Sequence, residues 1–343
     1  MDQKRNAGHD GVAPSRYPSL ADYQKRSWKS GAFQLLNTVV PYITLFGAML
    51  FVFTQGWPFW SVLLLAMPAA LFMVRTFIIF HDCTHESFLP SKLGNRIVGF
   101  ITGVLAFTPY ETWRLSHLRH HATNGQLDHR GTGDIYTMTV DEYREASPLQ
   151  RAKYRLYRNP FVLLVFGPAI IFLIVYRFAG LNRTAAERRS VLMTDVAIAG
   201  IATAVSLAFG WRAYLAVQLP IQVLCGAAGV WLFYIQHQCY PGYWAHDESW
   251  NRFDAALIGS SLYKLPSVLR WFTGNIGYHH IHHLQPRIPN YQLRPAYLAI
   301  QDEQGKKPLT FWRSLRFAKI KLWSELQQEL LSFRQALRLI RET

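Results

Sequence analysis

Polar and apolar positions are segregated into blocks along this 343-residue chain rather than interleaved. Ala32 to Thr54 and Pro58 to Phe80 are apolar runs near the ~20 residues a helix needs to cross the hydrocarbon of a bilayer. Gln55-Gly56-Trp57 is a tight turn between them, and Pro58 suits a first helical position. Trp57 and Trp60 stand where an interfacial aromatic belt would place them. Val191 to Phe209 and Ala213 to Ile235, joined by Gly210-Trp211-Arg212, repeat the arrangement, with Pro220 placed to kink the last span. Two other apolar runs are weaker. Gly99 to Thr108 is too short to cross and predicts a re-entrant or interfacial helix. Pro160 to Ala179 is split by Gly167-Pro168, and Arg177, Arg183, Arg188 and Arg189 crowd its end and the loop after it. It is predicted to form a broken interfacial hairpin that stays on one side. The pattern as a whole predicts an all-α integral membrane protein with four transmembrane helices in two hairpins.

The flanking segments are polar. Residues 1–30 read as a tail ahead of the main body, residues 31–310. From Phe311 to the end, Leu315, Leu322, Leu326, Leu330, Phe333 and Leu337 recur at helical spacing among Lys and Arg. Residues 311–343 are therefore predicted to be one basic amphipathic helix. Lys and Arg outnumber Asp and Glu by 36 to 21, a net charge of +15. That excess gathers between and after the apolar runs, which marks the cytosolic side. It places both termini there and suits acidic headgroups or an acidic protein partner. Nucleic acid is a poor fit, because the basic residues flank apolar runs instead of forming a soluble face. Cys83, Cys225 and Cys239 have no paired spacing, so neither a disulfide framework nor a CxxC metal motif is expected. The first thirty residues show no cleavable signal peptide. Arg75, about 9 Å before His81 along a helix, is expected to snorkel to the cytosolic interface.

Histidine changes the picture most. Thirteen are present, and nine of them occupy three groups of helical spacing and one further membrane exit. His81 and His85 are an i, i+4 pair directly after the second span. His117, His120 and His121 form an i, i+3, i+4 triple, as do His279, His282 and His283; such positions share one helical face. His237 leaves the fourth span as His81 leaves the second. Lone histidines are usually satisfied polar residues, and His9, His129 and His246 are read that way. Clusters of imidazole are metal ligands. Eight or nine are too many for one ion, so two ions with open positions fit better, and imidazole suits iron, copper, zinc and nickel alike. Neutral rings leave the ions' charge uncompensated, so nearby carboxylates are expected to accept the outer ring N–H groups. Asp82, Glu86, Asp128, Asp134 and Asp254 are the candidates. One site requires every cluster on one side of the membrane, hence a 160–179 segment that does not cross.

The motifs HDCTH, HLRHH and HHIHH resemble, in order, the three histidine boxes of the membrane fatty acid desaturases. The flanks Trp113-Arg114-Leu115-Ser116 and Asn275-Ile276-Gly277-Tyr278 match as well. Asp134-Ile135-Tyr136 and Arg287-Ile288-Pro289-Asn290-Tyr291 resemble the acyl-lipid, omega-6 (Δ12-like) bacterial branch. The likeness runs from about Pro41 to Tyr297. It implies a non-haem di-iron centre under a cytosolic helical cap, held by His81, His85, His117, His120, His121, His237, His279, His282 and His283. His280 falls at a variable position of the third box. Similar acyl-CoA desaturases use an asparagine that reaches iron through water, which makes Asn275, one helical turn before His279, a further candidate near the ligands. The implied reaction is O2-dependent introduction of a cis double bond into a fatty acyl chain carried by a lipid, CoA or carrier protein. Trp113 and Trp244 are candidates to line the acyl channel. No flavin, haem or iron–sulfur motif is present, so electrons are expected from a separate ferredoxin or small cytochrome. In a bacterium the plasma membrane would be the location. Similar boxes occur in di-iron hydroxylases and acetylenases of lipids or carotenoids. A membrane metal or haem carrier is the reading from another class, but paired axial histidines inside the bilayer are not what the boxes provide.

Overall fold

The computed structural model describes residues 17–342 apart from Thr132, Leu181, Tyr240, Pro241 and Gly305. His9 and the first half of the predicted tail lie outside the described residues. Trp28–Thr54 (α1) and Phe59–Thr84 (α2) form a long helical hairpin. Lys92–Leu105 (α3), Tyr110–Thr123 (α4), Val140–Glu145 (α5) and Pro148–Tyr157 (α6) follow. A π-helical turn over Val162–Phe166 leads into Gly167–Leu173 (α7). Ala185–Phe209 (α8) and Trp211–His237 (α9) make the second long hairpin. Beyond it lie Arg252–Leu257 (α10), Ser267–Phe272 (α11), His279–Leu284 (α12), Asn290–Gln304 (α13), Phe311–Ser314 (α14) and Phe333–Glu342 (α15). Two small sheets complete the cap: Tyr263–Lys264 (β1) parallel to Leu309–Thr310 (β2), and Ile320–Ser324 (β3) antiparallel to Glu329–Ser332 (β4).

Helices α1, α2, α8 and α9 are long and apolar enough to cross a membrane. A helix satisfies its own backbone groups, as a lipid environment requires. On α1, Phe33, Leu36, Val40 and Ile43 face outward while Gln34, Thr38 and Tyr42 are buried. α2 is the central helix: it packs on α1, α3 and α9 and buries Ala66, Ala69, Ala70, Met73, Ile79 and Phe80. Both α2 and α9 outrun their apolar stretches, to Thr84 and His237. Their polar last turns stay helical because the cap buries them.

The 160–179 segment is a bent helix rather than a hairpin, meeting α6 at 61°. Pro168 seats on Gly226, where an added Cβ would lie 2.8 Å from the proline ring. Gly226 stands only eleven residues before His237 on the 27-residue α9. Phe172 packs edge-on against Phe77 of α2, ring centroids 6.2 Å apart, and Arg177 bonds the Phe107 carbonyl and Asp195, each at 2.5 Å. Ser190, near the start of α8, accepts the Glu111 N–H at the start of α4. The segment thus enters and leaves in the histidine half of the bundle, and both long hairpins open toward the same end.

Two expectations are corrected. Arg75 does not snorkel. It is 7% exposed, donates Nε–H to Thr38 Oγ1 at 3.1 Å, bonds the Trp271 carbonyl and lies 3.9 Å above the Trp271 ring. A helix-end carbonyl and a ring face of α11 do for it what water would. Nor do residues 311–343 form one helix. A spacing of four fits period 2 as well as period 3.6, and burial on two faces decides between them. Leu322 packs with Val140, Tyr143 and Tyr154, whereas Trp323 packs with Leu127, Trp244 and Leu330. Only a strand can present consecutive residues to opposite clusters. The helix survives as α15, with Ala336 buried and Arg334, Arg338 and Arg341 exposed.

Trp323→Ala should therefore cost about 3–5 kcal/mol through the cavity it leaves and lower the thermal midpoint of the purified full-length chain. Leu326→Ala, at the 74%-exposed hairpin tip, should leave that midpoint within the ~0.5 kcal/mol expected of a surface change.

Candidate metal centre

Four helices deliver the clustered histidines. His81 lies in the last turn of α2 and His85 caps it. α4 carries His117, His120 and His121, His237 ends α9, and α12 carries His279, His282 and His283. A six-residue helix such as α12 does not hold itself together. It is held by Ile281, packed fully buried with Ile78, Ile276, Ile288 and Leu293, and by the strand edge before it. There Gly277 accepts the Tyr263 N–H at 2.7 Å. An added Cβ at Gly277 would meet the Tyr263 carbonyl oxygen at 2.3 Å, so this close approach requires glycine.

The nine histidines sort into two groups, each with its ligand nitrogens within 4.8 Å of one another. His81, His85, His117, His121 and His282 form one; His120, His237, His279 and His283 form the other. In the first, His121 Nε2 lies 3.1 Å from His117 Nε2 and 3.0 Å from His282 Nε2. In the second, His237 Nε2 lies 3.1 Å from His120 Nε2 and 2.9 Å from His279 Nε2, and His279 Nε2 lies 3.1 Å from His283 Nε2. Ligands at right angles about an ion with bonds of about 2.1 Å stand about 3.0 Å apart. The groups abut where the His121 and His283 rings stack, centroids 4.2 Å apart.

Electrostatics point the same way. Burial, reinforced by neighbouring imidazoles, holds His85, His117, His120, His121, His279, His282 and His283 well below the ordinary histidine range. Neutral rings aim lone pairs at shared points, and the Nε2 atoms of His81 and His85 are buried without a hydrogen-bond partner. Converging lone pairs repel unless a cation lies between them, and deprotonated imidazole is the form that binds metal. The donor set fits two transition-metal ions. On the outer side, His81 Nδ1 meets Asp82 Oδ1 at 3.1 Å and His237 Nδ1 meets the Gly259 carbonyl at 3.3 Å, the contacts that orient ligating imidazoles.

Of the carboxylate candidates, Asp82 alone touches one of the nine among the described residues. Asp128 accepts from His246 at 2.8 Å and from the Asp247 N–H. Asp134 accepts the Gly131 N–H, Asp254 lies in the first turn of α10, and Glu86 pairs with Lys92 at 3.7 Å. Asn275 donates to the Asn290 carbonyl. His280 is buried against Tyr297, outside both groups. Trp113 stacks on His117, centroids 4.3 Å apart; Trp244 instead belongs to the cap core with Trp323. Phe233 also borders the site, 5.1 Å from His120 and 5.2 Å from His237. Its position one helical turn before His237 was a usable signal. The Gly259 carbonyl left none.

Comparison with known proteins gives a consistent result. The family model described as fatty acid desaturase matches residues 55–314. The chain is 44% identical over 315 residues to a fatty acid desaturase of Bacillus subtilis, covering 92% of this chain and 89% of that one. It is 28% identical over 243 residues to the chloroplastic omega-6 fatty acid desaturase of Arabidopsis thaliana, covering 67% of this chain and 51% of that protein. It is 26% identical over 283 residues to an sn-1 acyl-lipid omega-3 desaturase (ferredoxin) of a Nostoc species, covering 77% and 74% respectively.

The buried imidazoles set a pH dependence for the metal-free chain. Their folded pKa values are depressed, so below about 6.5, the ordinary histidine value, the unfolded chain binds more protons than the folded one. Stability should fall as pH drops through that value. Thermal midpoints at pH 7.5, 6.5 and 5.5 should decline in order, and a His120→Ala, His121→Ala variant should flatten the slope.

Proposed function

The chain belongs to the fatty acid desaturase family and is an oxidoreductase acting on fatty acyl lipid at a membrane, and we propose that it introduces a cis double bond into an acyl chain, with O2 as co-substrate, at a pair of histidine-held irons. The observation that carries the metal reading is the sorting of nine buried imidazoles into groups of five and four with Nε2 edges near 3 Å. His81, His85, His117, His121 and His282 would hold one iron, and His120, His237, His279 and His283 the other. Bound iron would supply the redox chemistry with O2 that no side-chain base can apply to an unactivated methylene.

The chain's own residues supply placement. Asp82 and Gly259 orient one ring in each group through its Nδ1. Trp113 and Phe233 present apolar ring faces beside both groups, where they exclude water and border the acyl chain. Placement to within about 1 Å decides which hydrogens are lost. The name of the Nostoc relative supports a membrane acyl lipid as the carrier and a ferredoxin as the electron source; a small acidic cytochrome would satisfy the same basic surface. Arg183, just before α8, and Arg188 and Arg189 in its first turns, at the histidine end, support a cytosolic site with both termini on that side, and the plasma membrane as the location in a bacterium.

Expression in a host lacking the activity, followed by mass-spectrometric profiling of its fatty acids, should reveal a new unsaturated chain that His120→Ala abolishes. A hydroxylated product would redirect the reading to a hydroxylase. The purified chain should carry about two irons, as its two imidazole groups require, without a Soret band; such a band would overturn the reading.

A further inference from the structure

Asp82 is almost completely buried, as are Asn290 and Gln34. Its Oδ1 faces His81 Nδ1 at 3.1 Å. Its Oδ2 takes the backbone N–H of Asn290 at 2.6 Å and the side-chain Nδ2–H of the same residue at 2.8 Å. Gln34 of α1 then donates Nε2–H to Asn290 Oδ1 at 2.9 Å. Asn290 opens the fifteen-residue α13, so the carboxylate also sits at the positive end of that helix. Two flanking contacts pin Asn290. Asn275 Nδ2 donates to its carbonyl at 3.1 Å. The Tyr291 hydroxyl accepts the Ser27 N–H at 3.0 Å and donates to the Phe88 carbonyl at 3.1 Å.

A buried carboxyl group needs hydrogen-bond donors around it. Asn290 provides two of the three here. The Gln34 donor decides which way the Asn290 amide points: a flipped amide would turn its oxygen toward Asp82 and lose both contacts. With the amide held, the Asp82 carboxyl stays aimed at His81 Nδ1. His81 then keeps the ring orientation that turns its buried Nε2 into the five-imidazole group. The four-imidazole group is oriented differently, its His237 resting on the Gly259 backbone carbonyl.

We propose that Asn290 and Gln34 are positioning residues that act through Asp82 on His81, and so govern iron held by the five-imidazole group while leaving the four-imidazole group unaffected. The inference rests on the iron reading above. Its test is the release of iron from purified full-length protein to a ferrous chelator, followed with time, with Mössbauer spectra of the loaded protein. In Asn290→Ala, one of two iron equivalents should leave at least ~10-fold faster than in the parent, within the range found for residues that orient metal ligands. The other should keep the parental rate, and one of two doublets should shift. Gln34→Leu, a milder change with α13 intact, should speed the same equivalent by a smaller factor than Asn290→Ala does. Acceleration of both equivalents together, or of neither, overturns the inference. A parental chain that holds no iron overturns the iron reading with it, whereas two equivalents held equally tightly by the parent and both variants overturns this inference alone.

Discussion

Nine buried imidazoles whose ligand nitrogens converge on two small volumes are the constraint on which the rest of the chain depends. Such an arrangement repels itself when empty and becomes favourable around cations. It therefore has to be imposed by the fold. The chain imposes it with helix ends: the last turns of α2 and α9, the second half of α4, and the short α12. Helical spacing brings two or three rings together on α2, α4 and α12, and α9 adds His237. Burial on the cap side removes the water that would otherwise solvate and protonate them.

That constraint dictates the membrane topology. If the segment from Pro160 to Ala179 crossed, His237 and the third box would be carried away from the first two. In the fold it seats on Gly226 and returns past Phe107. The polar residues within the long helices serve the same purpose. Gln34 reaches Asn290, and Thr38 supports Arg75, which grips the Trp271 carbonyl. Each ties a membrane helix to the cap that carries α12, so polar groups costly in lipid are consumed in fixing the height of the third box above the first.

The ligand histidines were legible because local spacing suffices: i, i+3 and i+4 on a helix point one way wherever that helix is placed. The residues that orient them were not. Asp82 was readable as a neighbour of His81, but Asp128, Asp134 and Asp254 were equally acidic; Asp128 and Asp134 bond elsewhere, and Asp254 lies in the first turn of α10. Asn290 and Gln34 act at separations of 208 and 256 residues, where no spacing rule applies. Trp113 and Trp244 had the same standing in the sequence; only one of them stacks on a histidine.

By itself, then, the sequence determined four apolar helices in two hairpins and three helical histidine clusters. Those properties are set by hydropathy over about twenty residues and by periodicity over five, both local. Tertiary structure alone decided how nine rings divide into five and four, because that depends on where α4, α9 and α12 meet. It also made a two-stranded hairpin of residues 320–332, where a spacing of four fits helix and strand equally. A strand that must bury Leu322 in one cluster and Trp323 in another is chosen by what surrounds it, and its own residues do not carry that information.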